Sequence, residues 1–123
     1  MANVEVHEGQ SSVFEVLRGA NYSHFNMYKH MSNNTIDAPD ASTEHRQARI
    51  NALPVAKSVG DVRAALSDTQ DRAFPIYRNM TLASLVLDAD TAQLDVWCCG
   101  SAPSSGAPAE HSWNLRRFFG ATE

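Results

Sequence analysis

Cysteine is nearly absent: Cys98 and Cys99 are the only two in 123 residues, and they are adjacent. Neighbours in a strand point to opposite faces, so a disulfide between them would be strained. A reduced, cytoplasmic setting is expected. Two cysteines without Cys-x-x-Cys spacing do not make a zinc site, and His24 with His30 lacks a third ligand, so no metal is expected. Basic residues are also scarce. Ten Lys and Arg stand against fourteen Asp and Glu, a net charge of −4, and Arg116-Arg117 is the densest basic cluster. Phosphate binding needs clustered cations, which argues against nucleic acid. No apolar run approaches the ~20 residues of a membrane span. The opening "MANVEVHEGQ" lacks the basic-then-apolar layout of a secretion signal. No membrane partner and no internal repeat are expected.

What is present is an ordinary globular composition, 43% apolar and 20% charged. One domain spanning residues 1–123 is expected, burying roughly two-thirds of its unfolded surface. "VEVHE" (residues 4–8) and "SVFEVL" (residues 12–17) read as strands split by Gly9-Gln10, the second half-buried or buried. "SNNTIDAPDAS" (residues 32–42) has the composition of a surface loop. In "STEHRQARINAL", Ser42 and Thr43 are cap candidates, and Ile50 and Leu53 share a face with Arg46. "SVGDVRAALSD" is the stronger helix: Ser58 with Asp61 is a capping signature, and Val59, Val62, Ala65 and Leu66 form one stripe. "TLASLVLD" (residues 81–88) is apolar on both faces and reads as a central strand. It is followed by a short loop, the strand "QLDVWCCG", a second loop and a last strand in "HSWNLRRFF".

This order gives an α+β fold: a mostly antiparallel sheet with two helices on one face. A second copy or a partner chain is expected to cover the other face. "NYSHFNMYKH" (residues 21–30) is the densest polar and aromatic stretch. His24 there is a site candidate or a strand-end histidine satisfied by backbone. Arg78 is a ligand contact or the partner of Asp88 or Asp71. Ser84 is a packed small residue or lies beside a site. Cys98 and Cys99 read as inert packing beside Trp97, or as reactive thiols if a nearby cation lowers a thiol pKa. A triad of Ser23, His24 and Asp88 is discounted, because adjacent strand side chains face opposite ways.

The succession "SHF", "STEHRQARINAL", "DVRAALSD", "FPIYRN", "TLASLVLDADTAQLDVWCCGSAP" and "SWNLRRF" resembles the C-terminal region of the acyl-coenzyme A:6-aminopenicillanate acyltransferase-like family of N-terminal nucleophile hydrolases. The resemblance covers residues 12–119. It implies part of a four-layer αββα sandwich and amide hydrolysis or acyl transfer by an N-terminal cysteine, without a cofactor. Met1-Ala2 offers no such nucleophile, so a partner chain is expected to supply it. The family's oxyanion asparagine falls on Ser23, with Asn21 two positions upstream and His24 on the family's histidine. Arg78 and Ser84 match substrate-side positions, with Tyr77 beside them.

Two functions follow as expectations. The chain is a non-nucleophile subunit of an acyltransferase or linear amide hydrolase. Alternatively, it is a non-catalytic module that binds a small ligand or a protein and homodimerises through its sheet.

Overall fold

The computed structural model describes residues 1–31, 38–98, 100–104 and 106–118. The loop expected over residues 32–42 lies in part outside them, and so does Cys99. The architecture is α+β, with two antiparallel sheets in place of the single sheet expected. The helices are correspondingly divided. The chain forms two compact units, Met1–Val55 and Ala56–Glu123.

In the first unit, β1 (Ala2–His7) pairs with β2 (Gln10–Glu15) through a two-residue turn. Glu8 and Gly9 both have positive φ, 44° and 79°, the left-handed pair that a tight hairpin requires. The split thus falls on Glu8-Gly9, one residue earlier than expected. Glycine adopts that conformation freely, whereas glutamate is strained there. Glu8→Asn is therefore expected to stabilise the chain by about 0.5–1 kcal/mol, read as a rise in melting temperature; an unchanged or lower melting point would exclude strain at Glu8.

The hairpin places its polar residues inward. Glu5 is 3% exposed, while Val4, Val6 and Val13 are 58%, 62% and 68% exposed. This corrects the expectation that β2 is half-buried or buried. A two-stranded sheet covers one face, and here the covered face carries Glu5 and its cross-strand neighbour Ser12. Helix α1 (Ala41–Ala52) starts at Asp40, whose carboxylate accepts from the Thr43 amide at 2.6 Å. Asp40 is therefore the cap in place of Ser42 or Thr43. Thr43 and Gln47, one turn apart, are the buried positions of the helix.

In the second unit, α2 (Val59–Leu66) has the expected cap. The Ser58 hydroxyl accepts from the Asp61 amide, and the Asp61 carboxylate accepts from Ser58 Oγ and the Lys57 amide. Those bonds, the Lys57 amide first, hold Asp61 below its ordinary carboxylate value. The sheet runs β3-β4-β5, with β3 at Ala83–Asp88, β4 at Gln93–Cys98 and β5 at His111–Asn114. β3 is thus an edge strand, although its apolar run reads as central. Ser84 lies opposite Trp97 and Val86 opposite Asp95, on the inner face. Trp97 is fully buried, the Arg63 guanidinium of α2 sits 4.9 Å from its ring, and its indole N–H donates to the Ala107 carbonyl at 3.3 Å. Helix α2 therefore backs the inner face. Leu85, Leu87, Leu94, Val96 and Trp113 share the outer face. A short 3₁₀ turn, Arg116–Phe118, follows β5.

Candidate functional site

Glu5 organises the stretch that the sequence singles out. Its Oε1 accepts from the Lys29 amide at 2.8 Å and from Asn3 Nδ2 at 3.3 Å. Its Oε2 accepts from the His30 amide at 2.9 Å and the Met31 amide at 3.1 Å. Three successive backbone N–H groups thus converge on one buried carboxylate, a small anion nest filled by the protein's own side chain. Burial pushes the Glu5 pKa up, but the Lys29 and His30 amides, Asn3 and the nearby His30 outweigh it and hold the group below 4.5. Glu5 is ionised at neutral pH.

His24 stands over this anchor, with Nε2 3.4 Å from Glu5 Oε1 and a side chain 36% exposed. Nε2 is the ring nitrogen that faces the carboxylate. Around it the aromatic residues form a layer. The Tyr22 hydroxyl lies 3.0 Å from His30 Nε2, and the His30 ring stacks on Phe14 at 4.2 Å with a 7° tilt. Desolvation and the Glu5 charge raise the Tyr22 phenol above its ordinary value. Lys29 Nζ donates to the Ser23 carbonyl and lies 4.8 Å from the Tyr22 ring.

Ser23 and His24 point to different partners. The Ser23 hydroxyl accepts from Gln47 Nε2 at 2.9 Å, and Gln47 also donates to Asn51. A serine held by a helix glutamine and a histidine held by Glu5 do not form a nucleophile–base pair. Asn21 is exposed at the start of the same stretch. No family model, curated protein or solved structure matches this chain.

The remaining candidates belong to the second unit. The Arg78 amide donates to Thr81 Oγ1 at 3.0 Å, and its carbonyl accepts from the Thr81 amide, so Arg78 opens the turn that leads towards β3. The Tyr77 amide donates to the Asp68 carbonyl, and its buried hydroxyl has no hydrogen-bond partner among the described residues. Ser84 is 8% exposed on the inner face, beside Trp97. Asp88 accepts from the amides of Asp90 and Thr91 in the β3–β4 turn.

Sequence reasoning missed Glu5, Gln47 and Asp95. Asp95 accepts from Ser112 Oγ, Gln93 Nε2 and Arg63. The Ser112 bond is the main cause of its lowered pKa; burial opposes it, and Gln93 and Arg63 add to it. Glu5 had one usable signal: a carboxylate on the opposite alternation from Val4 and Val6, in a strand with valine on only one side.

An open cleft of about 780 Å³ lies in the first unit, bounded by β1, residues 24–28 and residues 38–40. Among the described residues, no group of three or more His, Cys, Asp or Glu side chains is placed to hold a metal ion. Among them, no helix is long and apolar enough to cross a membrane.

Proposed function

We propose that the chain is a non-catalytic binding module whose second unit pairs with a second copy of itself through the outer face of β3-β4-β5. One observation carries this reading: a helix-backed sheet has an apolar outer face that stands exposed. Leu85 is 58% exposed, Leu87 55% and Trp113 43%. Contiguous apolar surface of this kind marks contact sites. Among the described strand residues of that face there is no Lys, Arg, Asp or Glu, so a twofold pairing of the strands brings no like charges together.

Two copies stacked at the ~10 Å spacing of packed sheets make the layers helix, sheet, sheet, helix. This is the αββα order that the resemblance implies, assembled from one chain used twice. Strand rise and spacing give the face a footprint of roughly 20 Å by 14 Å. That is small beside the ~800 Å² per partner of a standard interface, so the pairing is expected to be weak and reversible.

The resemblance supplies a second occupant for the same face: a chain bearing the family's nucleophilic cysteine, with amide hydrolysis or acyl transfer belonging to the pair. The separate engagements of Ser23 and His24, and the place of Ser84 on the helix-backed face, favour the self-pairing module.

Sedimentation velocity from low-micromolar to near-millimolar concentration tests it. The wild-type chain is expected to shift towards dimer as concentration rises, and Leu85→Glu to stay monomeric with an unchanged melting temperature. A wild-type chain that remains monomeric throughout, or a Leu85→Glu variant that associates equally, overturns the reading.

A further inference from the structure

We infer that the free edge of β1, which forms one wall of the cleft in the first unit, pairs with an extended segment of a partner protein. The inference stands apart from copy pairing, because this edge belongs to the first unit and the outer sheet face to the second.

The hairpin register decides which backbone groups are available. The Val16 amide donates to the Met1 carbonyl at 2.8 Å, and Ala2 to His7 each keep a fixed partner on β2. Hydrogen-bonded and non-hydrogen-bonded pairs alternate along an antiparallel ladder. Asn3, Glu5 and His7 therefore bond β2, while Val4 and Val6 turn their N–H and C=O groups to the opposite edge. Among the described residues, one partner is found for these four groups: the Tyr28 hydroxyl, which donates to the Val6 carbonyl at 3.0 Å. That bond agrees with the outward direction and leaves the carbonyl a second lone pair.

The edge lacks the usual protection against pairing. "ANVEVH" contains no Lys or Pro, and its register runs without a bulge. Its one carboxylate, Glu5, is turned to the covered face and held by the amides of residues 29–31. Residues 4–7 line the cleft, and about 780 Å³ is open beside them. Four residues of strand span roughly 13 Å, room for a short added strand. An extended backbone presents donors and acceptors at the same two-residue spacing as Val4 and Val6, which names the occupant. Alternate side chains of that strand lie beside Val4 and Val6, both more than half exposed, and this calls for β-branched apolar residues. Phe25, Met27 and Pro39 add apolar wall. Recognition is by backbone and does not depend on the charge of the cleft.

The test is an amide-resolved NMR titration of the whole chain with a capped hexapeptide of alternating valine and threonine. A second peptide of the same sequence, N-methylated at every residue, keeps the side chains and loses the donors. The first is expected to shift the Val4 and Val6 amides and slow their hydrogen exchange near millimolar concentration, and the methylated peptide to do neither. Val4→Pro removes an N–H that points away from β2, a position where an edge strand accepts proline. It is expected to weaken the peptide roughly tenfold. Val13→Pro makes the same change on the free edge of β2 and is expected to leave the peptide response as in wild type. Equal responses to the two peptides in the wild-type chain, or none to either, overturn the assignment. So does a response lost in Val13→Pro and kept in Val4→Pro. Protection of Val4 and Val6 that rises with the chain's own concentration, without peptide, gives the edge to a second copy and overturns it as well.

Discussion

Glu5→Ala is expected to lower stability by about 3 kcal/mol and to release residues 29–31 from their place against the hairpin. The substitution removes the acceptor of three backbone N–H groups at once, those of Lys29, His30 and Met31. A buried donor left unsatisfied costs about 1–3 kcal/mol. These amides are only partly buried, and water re-satisfies some of the loss, which places the sum at the lower end. Glu5→Gln has the same shape and keeps one acceptor oxygen, but turns an N–H₂ group towards amide donors; it is expected to cost about half as much. Hydrogen exchange at residues 29–31 is the direct measurement, with protection lost in Glu5→Ala and reduced in Glu5→Gln. Protection equal to wild type in Glu5→Ala would show that the carboxylate does not hold the stretch.

The same carboxylate makes stability depend on pH, with a definite sign. The folded pKa of Glu5 lies below 4.5, so the unfolded chain takes up a proton first as pH falls. Glu5 thus contributes stability in full above about 4.5, and that contribution is lost as pH drops through the lower folded value. Asp95 acts in the same direction from its ordinary 3.8. Melting temperature measured from pH 7 down to pH 3 is expected to fall across this window, and less steeply in Glu5→Gln. An equal slope in wild type and Glu5→Gln would remove Glu5 as the cause.

Glu5 also shows where legibility in the sequence ends. Alternation in "VEVH" establishes that the two faces of β1 differ, but not which face is covered. The choice is made by the amides of residues 29–31, and backbone donors leave no trace in residue identity. The cap of α2 is legible because Ser58 and Asp61 satisfy each other within one turn. The cap of α1 is ambiguous because Asp40, Ser42 and Thr43 are all good caps, and burial of Thr43 decides among them. β3 reads as central because Leu85 and Leu87 alternate with Val86. An apolar pattern calls for cover without saying whether the same chain or another provides it, and here β3 is an edge. The crowding in residues 21–30 is a real cluster, with His24 and His30 gathered around Glu5. Its organising residue, Glu5, lies in β1, outside the stretch itself.

Trp97→Ala is expected to cost about 3–5 kcal/mol, the range for emptying a buried large aromatic position. A domain of this size has about 5–15 kcal/mol in all, so the second unit should lose most of its folded population on mild heating. Trp97 carries this weight because it is fully buried on the inner face of the central strand β4, between Ser84 and Arg63. Removing it also deprives the Ala107 carbonyl of the indole N–H. Trp97→Phe separates the two contributions: it keeps most of the volume, loses the N–H, and is expected to cost about 1–2 kcal/mol. Equal costs for the two variants would assign the effect to the hydrogen bond and exclude packing. Trp97→Phe has a further use, because the chain has two tryptophans and the survivor, Trp113, lies on the outer sheet face. Its emission is expected to be that of a solvated indole in dilute solution and to move to shorter wavelength as concentration rises. A concentration-independent spectrum would mean that Trp113 stays in water and that the outer face does not pair. The buried tryptophan thus sets the stability of the sheet, and the exposed one reports whether that sheet finds a second copy.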